Sequence, residues 1–316
     1  LELSKQITRT FRGSYVAGVY YPDKTRVGWW KNGYPEYFAK ILNSTNWIGI
    51  GIEIDGDELD LAKCEVESFS RVLNMKEGYL ERKFVARLAS GKRVEVKSTR
   101  LTSIVDTGNG AIRYAVKALN FSGKISFEPL LDLNVFNQDS NYNEHFWNEI
   151  SRSADQGIAQ ICGETKKTAF RVATAMSYVL DLNGETIRPE AEVVSRDMYI
   201  AYRSATSIAE GQTVTLFKYV ANLSSMDYAF DKIEAAARDS ALAAQAKGFA
   251  QLLAEQAAAW AAKWEGCDVS IEGDVAAQQA IRFNIFQMNQ TYTGEDERLN
   301  IGPKGFTGEK YGGVTY

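Results

Sequence analysis

Trp47-Ile48-Gly49-Ile50-Gly51-Ile52-Glu53-Ile54-Asp55-Gly56-Asp57 places an isoleucine at every second position from 48 to 54. Side chains of an extended chain alternate between two faces, so Ile48, Ile50, Ile52 and Ile54 share one face of a strand. Asp55-Gly56 is a hairpin-type turn signal, leading into a second short strand expected around Leu59 and Leu61. The same alternation recurs on either side. Phe84, Ala86 and Leu88 alternate, Ser90-Gly91-Lys92 turns, and Val94 and Val96 alternate again. Ile112, Tyr114, Val116 and Ala118 form a further strand pattern. Strand character then returns over 170–180, 193–202 and 213–221, with Gly184 and Gly211 between them. Many short strands separated by turn signals predict a large antiparallel sandwich over residues 1–225.

The pattern changes after Ser225. Residues 227–264 are rich in Ala, Glu, Gln and Lys, strong helix formers. Phe249, Leu252, Leu253, Gln256, Trp260 and Trp264 follow helical spacing, so one face is expected to dock, with Gly248 near a break between two helices. Residues 226–270 therefore read as a helical linker. A third helix is expected to begin at Asp274, an acceptable N-cap. Ile281, Ile285, Met288 and Tyr292 share one of its faces, with Phe283 and Phe286 on others. A helix apolar on more than one side is expected to be buried.

Composition narrows the function classes. The chain has 316 residues, a formal net charge of −4 and a pI near 5.4, which opposes binding to a nucleic-acid backbone. No apolar run reaches the length of a membrane span. The opening Leu1-Glu2-Leu3-Ser4-Lys5 has neither a basic region nor an apolar run, so no signal peptide is expected. It also lacks an initiator Met, so the true start is expected upstream. Cys64, Cys162 and Cys267 are odd in number and far apart, which fits reduced thiols in a cytoplasmic protein. His145 is the single histidine, so a histidine-rich metal site is not expected, and a loop or surface role suits it.

Two regions could carry binding chemistry. Tyr15, Tyr20, Tyr21, Trp29, Trp30, Tyr34, Tyr37, Phe38 and Trp47 crowd one stretch, with Pro22-Asp23-Lys24-Thr25 read as a turn within it. Aromatic faces stack on the apolar faces of sugars, and they also fill cores. The second region is the glycine-rich tail from Asn300 to Tyr316. Gly302, Gly305, Gly308, Gly312 and Gly313 allow close backbone approach to a ligand. Lys304 and Lys310 could bind an anion, and Glu309 could bond sugar hydroxyls. The spacing is not that of a phosphate-binding P-loop. A plain connector is the other reading of this tail.

Several blocks resemble glycoside hydrolase family 65, in particular its maltose phosphorylase branch. They are residues 13–38 (Gly-Ser-Tyr-Val-Ala-Gly-Val-Tyr-Tyr-Pro-Asp-Lys-Thr-Arg-Val-Gly-Trp-Trp and onward), 46–50 and 71–78, with Asn74 where the family usually has Asp. Residues 111–114, 120–123, 271–274, 281–296 and the tail 302–316 continue the likeness. The resemblance implies a β-super-sandwich, a helical linker, and, from about residue 271 to 316, the beginning of an (α/α)6 catalytic barrel. It implies a disaccharide phosphorylase acting on maltose and inorganic phosphate, with no other cofactor and no metal. It also implies a homodimer, without nucleic-acid or membrane partners. It places no catalytic residue in this chain: the general acid Glu is expected beyond Tyr316, so the chain alone is expected to be inactive. Phe306, Gly308, Glu309, Lys310 and Tyr311 are the implied substrate-binding candidates. Action on kojibiose, nigerose or trehalose, hydrolysis in place of phosphorolysis, and a non-catalytic sugar-binding sandwich are the alternatives.

Overall fold

The computed structural model describes residues 13–24, 36–137 and 144–299. Among them the chain forms sixteen strands followed by three helices. A short ribbon comes first, β1 (Tyr15–Lys24) against β2 (Tyr37–Asn43). The sandwich follows: β3 (Ile50–Ile54), β4 (Asp57–Glu58), β5 (Glu65–Asn74), β6 (Tyr79–Arg87), β7 (Arg93–Thr102), β8 (Asn109–Ala118) and β9 (Gly123–Asp132). Its second half is β10 (Trp147–Asp155), β11 (Ile158–Thr165), β12 (Arg171–Leu182), β13 (Glu185–Ile187), β14 (Ala191–Arg196), β15 (Tyr199–Ile208) and β16 (Thr213–Ser224). The helices are α1 (Ile233–Lys247), α2 (Phe249–Cys267) and α3 (Val275–Thr291).

The strands divide between two antiparallel sheets. One runs β10-β11-β12-β16-β8-β7-β6-β5, with β13 on β12, and the other β14-β15-β9-β3-β4. The isoleucine pattern explains the second sheet: Ile50, Ile52 and Ile54 are buried, while Gly51 and Glu53 face out. Each isoleucine removed from water contributes about 1.5–3 kcal/mol. They meet Phe84, Val94, Val96, Tyr114 and Val116 of the large sheet in a single core. Lys218 of β16 lies wholly inside that core. Its Nζ donates to the carbonyls of Trp47, Gly49 and Leu130 at 2.5, 3.1 and 2.7 Å. Burial pushes its pKa well down, and the three acceptors tie the two sheets together at one point.

The helices cover the outer face of the large sheet. Ile233, Ala237, Ala241 and Ala244 form a narrow buried stripe on α1. Small side chains let this helix lie close to Ala173, Ala175 and Ala221. Gly248 ends α1 and starts α2 with φ +78, the conformation expected of glycine at a break. Asp274 caps α3, its carboxylate accepting from Ala277 N at 2.9 Å.

Four local expectations change. Pro22, Asp23 and Lys24 are not a turn. They extend β1, paired with Ala39, Phe38 and Tyr37, because a two-stranded ribbon has free edges on which a proline without N–H costs no ladder bond. The hairpin at Asp55-Gly56 forms, but its second strand is β4, Asp57–Glu58, and ends before Leu59 and Leu61. Asp60 builds a turn there, its carboxylate accepting from Ala62 N and its carbonyl from Lys63 N. The stretch 193–202 is two strands, not one, reversed at Asp197-Met198 with Met198 at φ +57. Finally, α3 is not buried on several sides: Ile285 and Phe286 are covered, but Phe283 is 43% exposed and Met288 64%. It docks through one stripe onto α2, with Ile281 and Tyr292 half-buried and Val275, Phe283 and Met288 exposed.

Candidate functional site

The β5–β6 hairpin turn, α2 and α3 meet in one junction. The turn Asn74-Met75-Lys76-Glu77-Gly78 closes by a bond from Gly78 N to Asn74 O at 2.8 Å. Asn74 Oδ1 accepts from Glu77 N at 3.0 Å, and its Nδ2 donates to the Glu77 carboxylate at 3.2 Å. An Asp at this position would keep the first bond and set a second carboxylate against Glu77 in place of the other. Gly78 has φ +73, and a Cβ there would fall 1.9 Å from Trp260 Nε1. Glycine is thus required twice over, by conformation and by contact.

The helix face read from spacing does dock here. Gln256 Nε2 donates to the carbonyls of Gly78 and Thr102 at 2.9 and 3.1 Å, and its Oε1 accepts from Ile104 N at 3.0 Å. Trp264 Nε1 donates to Met75 O at 3.0 Å. Trp260 stacks on Phe286 of α3, with centroids 4.5 Å apart. The sandwich turn thus reaches α3 through Trp260, at Phe286 in the second half of that helix.

Beyond α3, residues 293–299 return to the beginning of the linker. Arg298 is their anchor: Nη1 donates to Met226 O at 2.8 Å, and Nη2 reaches Asp296 at 2.6 Å and Asp227 at 2.5 Å. The Arg298 guanidinium holds the Asp296 carboxyl down at about 2, and the two acids push the arginine upward. Lys263 and Glu295 add a 3.7 Å pair. Gly18, at φ +77 in β1, makes room for this return, since a Cβ there would lie 1.9 Å from Met226 Sδ and 3.0 Å from Leu299 Cδ2. The segment leading to the candidate tail is thus held against both the ribbon and the linker. Phe306, Gly308, Glu309, Lys310 and Tyr311, with Lys304, lie outside the described residues.

The aromatic crowd divides. Trp29, Trp30 and Tyr34 lie outside the described residues. Tyr21 and Trp47 are core groups, 1% and 8% exposed. Tyr21 packs edge-on against Phe146 and donates to Glu144 at 2.7 Å, while Trp47 lies against Gly110. For these two, filling the core is the role that holds. His145 is exposed on a loop beside Phe136. Cys162 is buried, Cys64 and Cys267 partly so, and all three are free thiols. Among the described residues no cluster of His, Cys, Asp and Glu suited to a metal occurs, and no helix is long and apolar enough to cross a membrane. Sequence spacing did not reveal Arg298, because its partners Met226 and Asp227 are some seventy residues away in the chain.

Comparison with known proteins agrees with this layout. Residues 3–263 match the glycosyl hydrolase family 65 N-terminal domain, and residues 282–316 match the glycosyl hydrolase family 65 central catalytic domain. Maltose phosphorylase of Bacillus subtilis (strain 168) is 39% identical over 305 residues, covering 96% of this chain and 40% of that protein. Alpha,alpha-trehalose phosphorylase of Thermoanaerobacter brockii is 31% identical over 327 residues, again covering 96% and 40%. A solved structure, named as a presumed kojibiose phosphorylase from the human microbiome, superposes with a TM-score of 0.84 at 23% identity, covering 95% of this chain and 39% of that one. The chain thus spans about 40% of the length of these relatives. With its two-sheet sandwich, its docked linker helices and matches that together take in most of its residues, this chain belongs to glycosyl hydrolase family 65.

Proposed function

We propose that this chain is the sandwich, linker and barrel entrance of a disaccharide phosphorylase that cleaves the α-glucosidic bond of maltose with inorganic phosphate. The observation that carries this reading is the graded identity over 96% of the chain: 39% to a maltose phosphorylase, 31% to a trehalose phosphorylase and 27% to a kojibiose phosphorylase. In the proposed reaction a Glu beyond residue 316 protonates the glycosidic oxygen. Phosphate attacks the anomeric carbon from the opposite face through an oxocarbenium-like transition state. The configuration inverts, and the products are β-glucose 1-phosphate and glucose. Phosphate is already anionic, so no general base has to activate it, and no further cofactor is invoked. Phe306, Gly308, Glu309, Lys310 and Tyr311 line the sugar pocket in this reading. The anchoring of residues 293–299 by Arg298 supports it by giving that tail a fixed stem. Residues 1–225, 226–270 and 271–316 serve as sandwich, linker and barrel opening in a cytoplasmic homodimer.

The test uses the full-length gene product with maltose, with and without inorganic phosphate, followed by proton NMR of the anomeric region. The β-anomer of glucose 1-phosphate should form only with phosphate, and faster than from trehalose or kojibiose. Glucose release without phosphate would replace phosphorolysis by hydrolysis, and faster turnover of another disaccharide would reassign the substrate.

A further inference from the structure

Each sandwich sheet ends in strands whose outward backbone groups have no neighbouring strand among the described residues. Three of those four ends are short or sparingly apolar. β4 is Asp57 and Glu58 alone, and β10 and β14 each expose one large apolar side chain, Ile150 and Val193. β5 differs. It is ten residues long, and every residue from Glu65 to Val72 is exposed. Val66, Phe69 and Val72 are 40, 52 and 56% exposed. Natural sheets blunt such an edge with charges, proline or a bulge, because unpaired N–H and C=O groups template a further strand. β5 has no proline and one bulge, between Val66 and Ser68. The edge is therefore interrupted at Glu67 and left open over residues 68–72.

Register fixes the two faces of β5. Phe69 lies opposite Phe84 and Arg71 opposite Arg82, on the side of the core. Ser68, Ser70 and Val72 lie opposite Val85, Lys83 and Glu81, on the other side. The bulge turns Glu67 to that other side too, where Arg87 and Arg93 hold its carboxylate. A two-fold antiparallel pair of identical strands must set one residue opposite itself, with like faces together. Centred on the open stretch, three registers remain. Phe69 opposite itself brings Arg71 to Glu67, which faces away and is already paired. Arg71 opposite itself sets like charges together, a destabilising contact. Ser70 opposite itself places Phe69 across from Arg71 twice, each a cation–π pair. It also sets Ser68 across from Val72 and leaves no like charges opposed.

We propose that β5 is a self-association edge: two copies of this chain pair antiparallel over residues 68–72 about a two-fold axis at Ser70, so that the large sheet of one copy continues into that of the next. Phe69 of each copy receives the guanidinium of Arg71 of the other. The backbone groups of both edges gain hydrogen-bond partners, and Phe69 and Val72 lose exposed apolar surface. Five residues a side make a small interface, so the dimer forms and dissociates with concentration. The inference names a face for the homodimer proposed above. Its test reads association and not turnover, so failure of the maltose reading would leave it standing.

Sedimentation velocity of the whole chain over a concentration series measures the association. Monomer should give way to dimer as the concentration rises. Phe69→Ser and Arg71→Glu should each weaken the dimer at least tenfold, whereas Ile150→Ser on the β10 edge should leave it within twofold. Arg71 is exposed, so its variant keeps the test valid even if Phe69→Ser folds poorly. Introduced cysteines read the register. In the proposed pair Ser70 faces itself with Cα atoms about 4.5–5.5 Å apart, within the range a disulfide spans. Ser70→Cys should therefore cross-link two copies on mild oxidation, located by mass mapping of the joined peptides. Residue 68 lies about 13 Å along the strand from its own counterpart, so Ser68→Cys should not cross-link. A single monomeric species at every concentration, a dimer equally tight in wild type and Arg71→Glu, or a dimer that does not cross-link through Ser70→Cys, would overturn the proposal.

Discussion

The Trp260 indole and the Phe286 ring lie with centroids 4.5 Å apart and planes 24° apart, so α2 and α3 meet through a near-parallel stack. Trp260 also covers Gly78, so one side chain touches both a sandwich turn and α3. A hairpin nearly two hundred residues earlier in the chain thus joins α3 through one side chain, while Gln278 and Arg282 tie the same helix to residues 268–271.

Replacing either member of the Gly78–Trp260 contact should destabilise the chain, and the two losses should not add. Trp260→Ala removes a buried aromatic at a cost of about 3–5 kcal/mol. Gly78→Ala strains a positive φ, costing about 1–3 kcal/mol, and in addition collides with the indole. With Trp260 already truncated, only the backbone strain should remain. Urea unfolding of the four proteins of the cycle measures this, and strict additivity would show that the contact does not carry the junction.

Lys218→Met should lower stability although it makes the core more apolar. It takes the ammonium away from the carbonyls of Trp47, Gly49 and Leu130, of which Gly49 O keeps Leu130 N at 3.4 Å, and each carbonyl left without a donor costs about 1–3 kcal/mol. Removing a buried ammonium offsets part of that loss. The net expectation is a destabilisation of about 1–3 kcal/mol, read as a lower urea midpoint with an unchanged slope.

Stability should fall between pH 10 and 12, in part through Tyr21. Burial, then the bond to Glu144, raises this phenol from 10.0 to about 12. The folded form holds the proton more tightly than the unfolded chain does. The stabilisation is thus complete below pH 10 and lost as the pH rises through the folded value. Tyr21→Phe should cost about 0.5–1.5 kcal/mol at neutral pH by removing the bond to Glu144, and should flatten this alkaline slope. An identical slope in the variant would assign the effect to other groups.

Asp227→Asn and Arg298→Gln should free residues 293–299 without unfolding the sandwich. Hydrogen exchange should quicken at Leu299 N, which donates to Asp296 O at 3.1 Å, and stay unchanged in β8 and β16. In the wild type the same amide should lose protection as the pH falls below the ordinary Asp value of 3.8 toward about 2, because the depressed Asp296 carboxyl then protonates. Protection unchanged in Arg298→Gln would remove the arginine as the anchor.

Cys162 should resist a thiol reagent in the native protein at pH 8 and react only after unfolding. Burial pushes its thiol up to about 12, so almost no thiolate forms. Cys64 and Cys267 are partly exposed and should react first.

Much of the architecture was legible in the chain because it rests on local periodicity. The alternation at Ile50, Ile52 and Ile54 needs no partner to be recognised as a strand, and the same holds for Phe84–Leu88 and Ile112–Ala118. The Asp274 cap, the Gly248 break and the docking face of Phe249, Leu252, Gln256 and Trp260 are likewise written in short-range spacing. The reversal at Asp197-Met198 was hidden because no glycine or proline marks it, and a methionine takes the positive φ. The covering of α3 was overestimated because apolar content reports what a helix can bury and not what lies beside it.

By itself, the amino-acid sequence determined the succession of strands and helices, the linker's docking face and, through long matching blocks, the family. Tertiary structure alone decided which distant groups meet: Arg298 with Asp227, Gln256 with Gly78, and Lys218 with three carbonyls of other strands. The physical reason is that periodicity is a property of a few consecutive residues, whereas charge pairing and close packing depend on strand register and sheet order. Neither can be read until the chain has closed on itself.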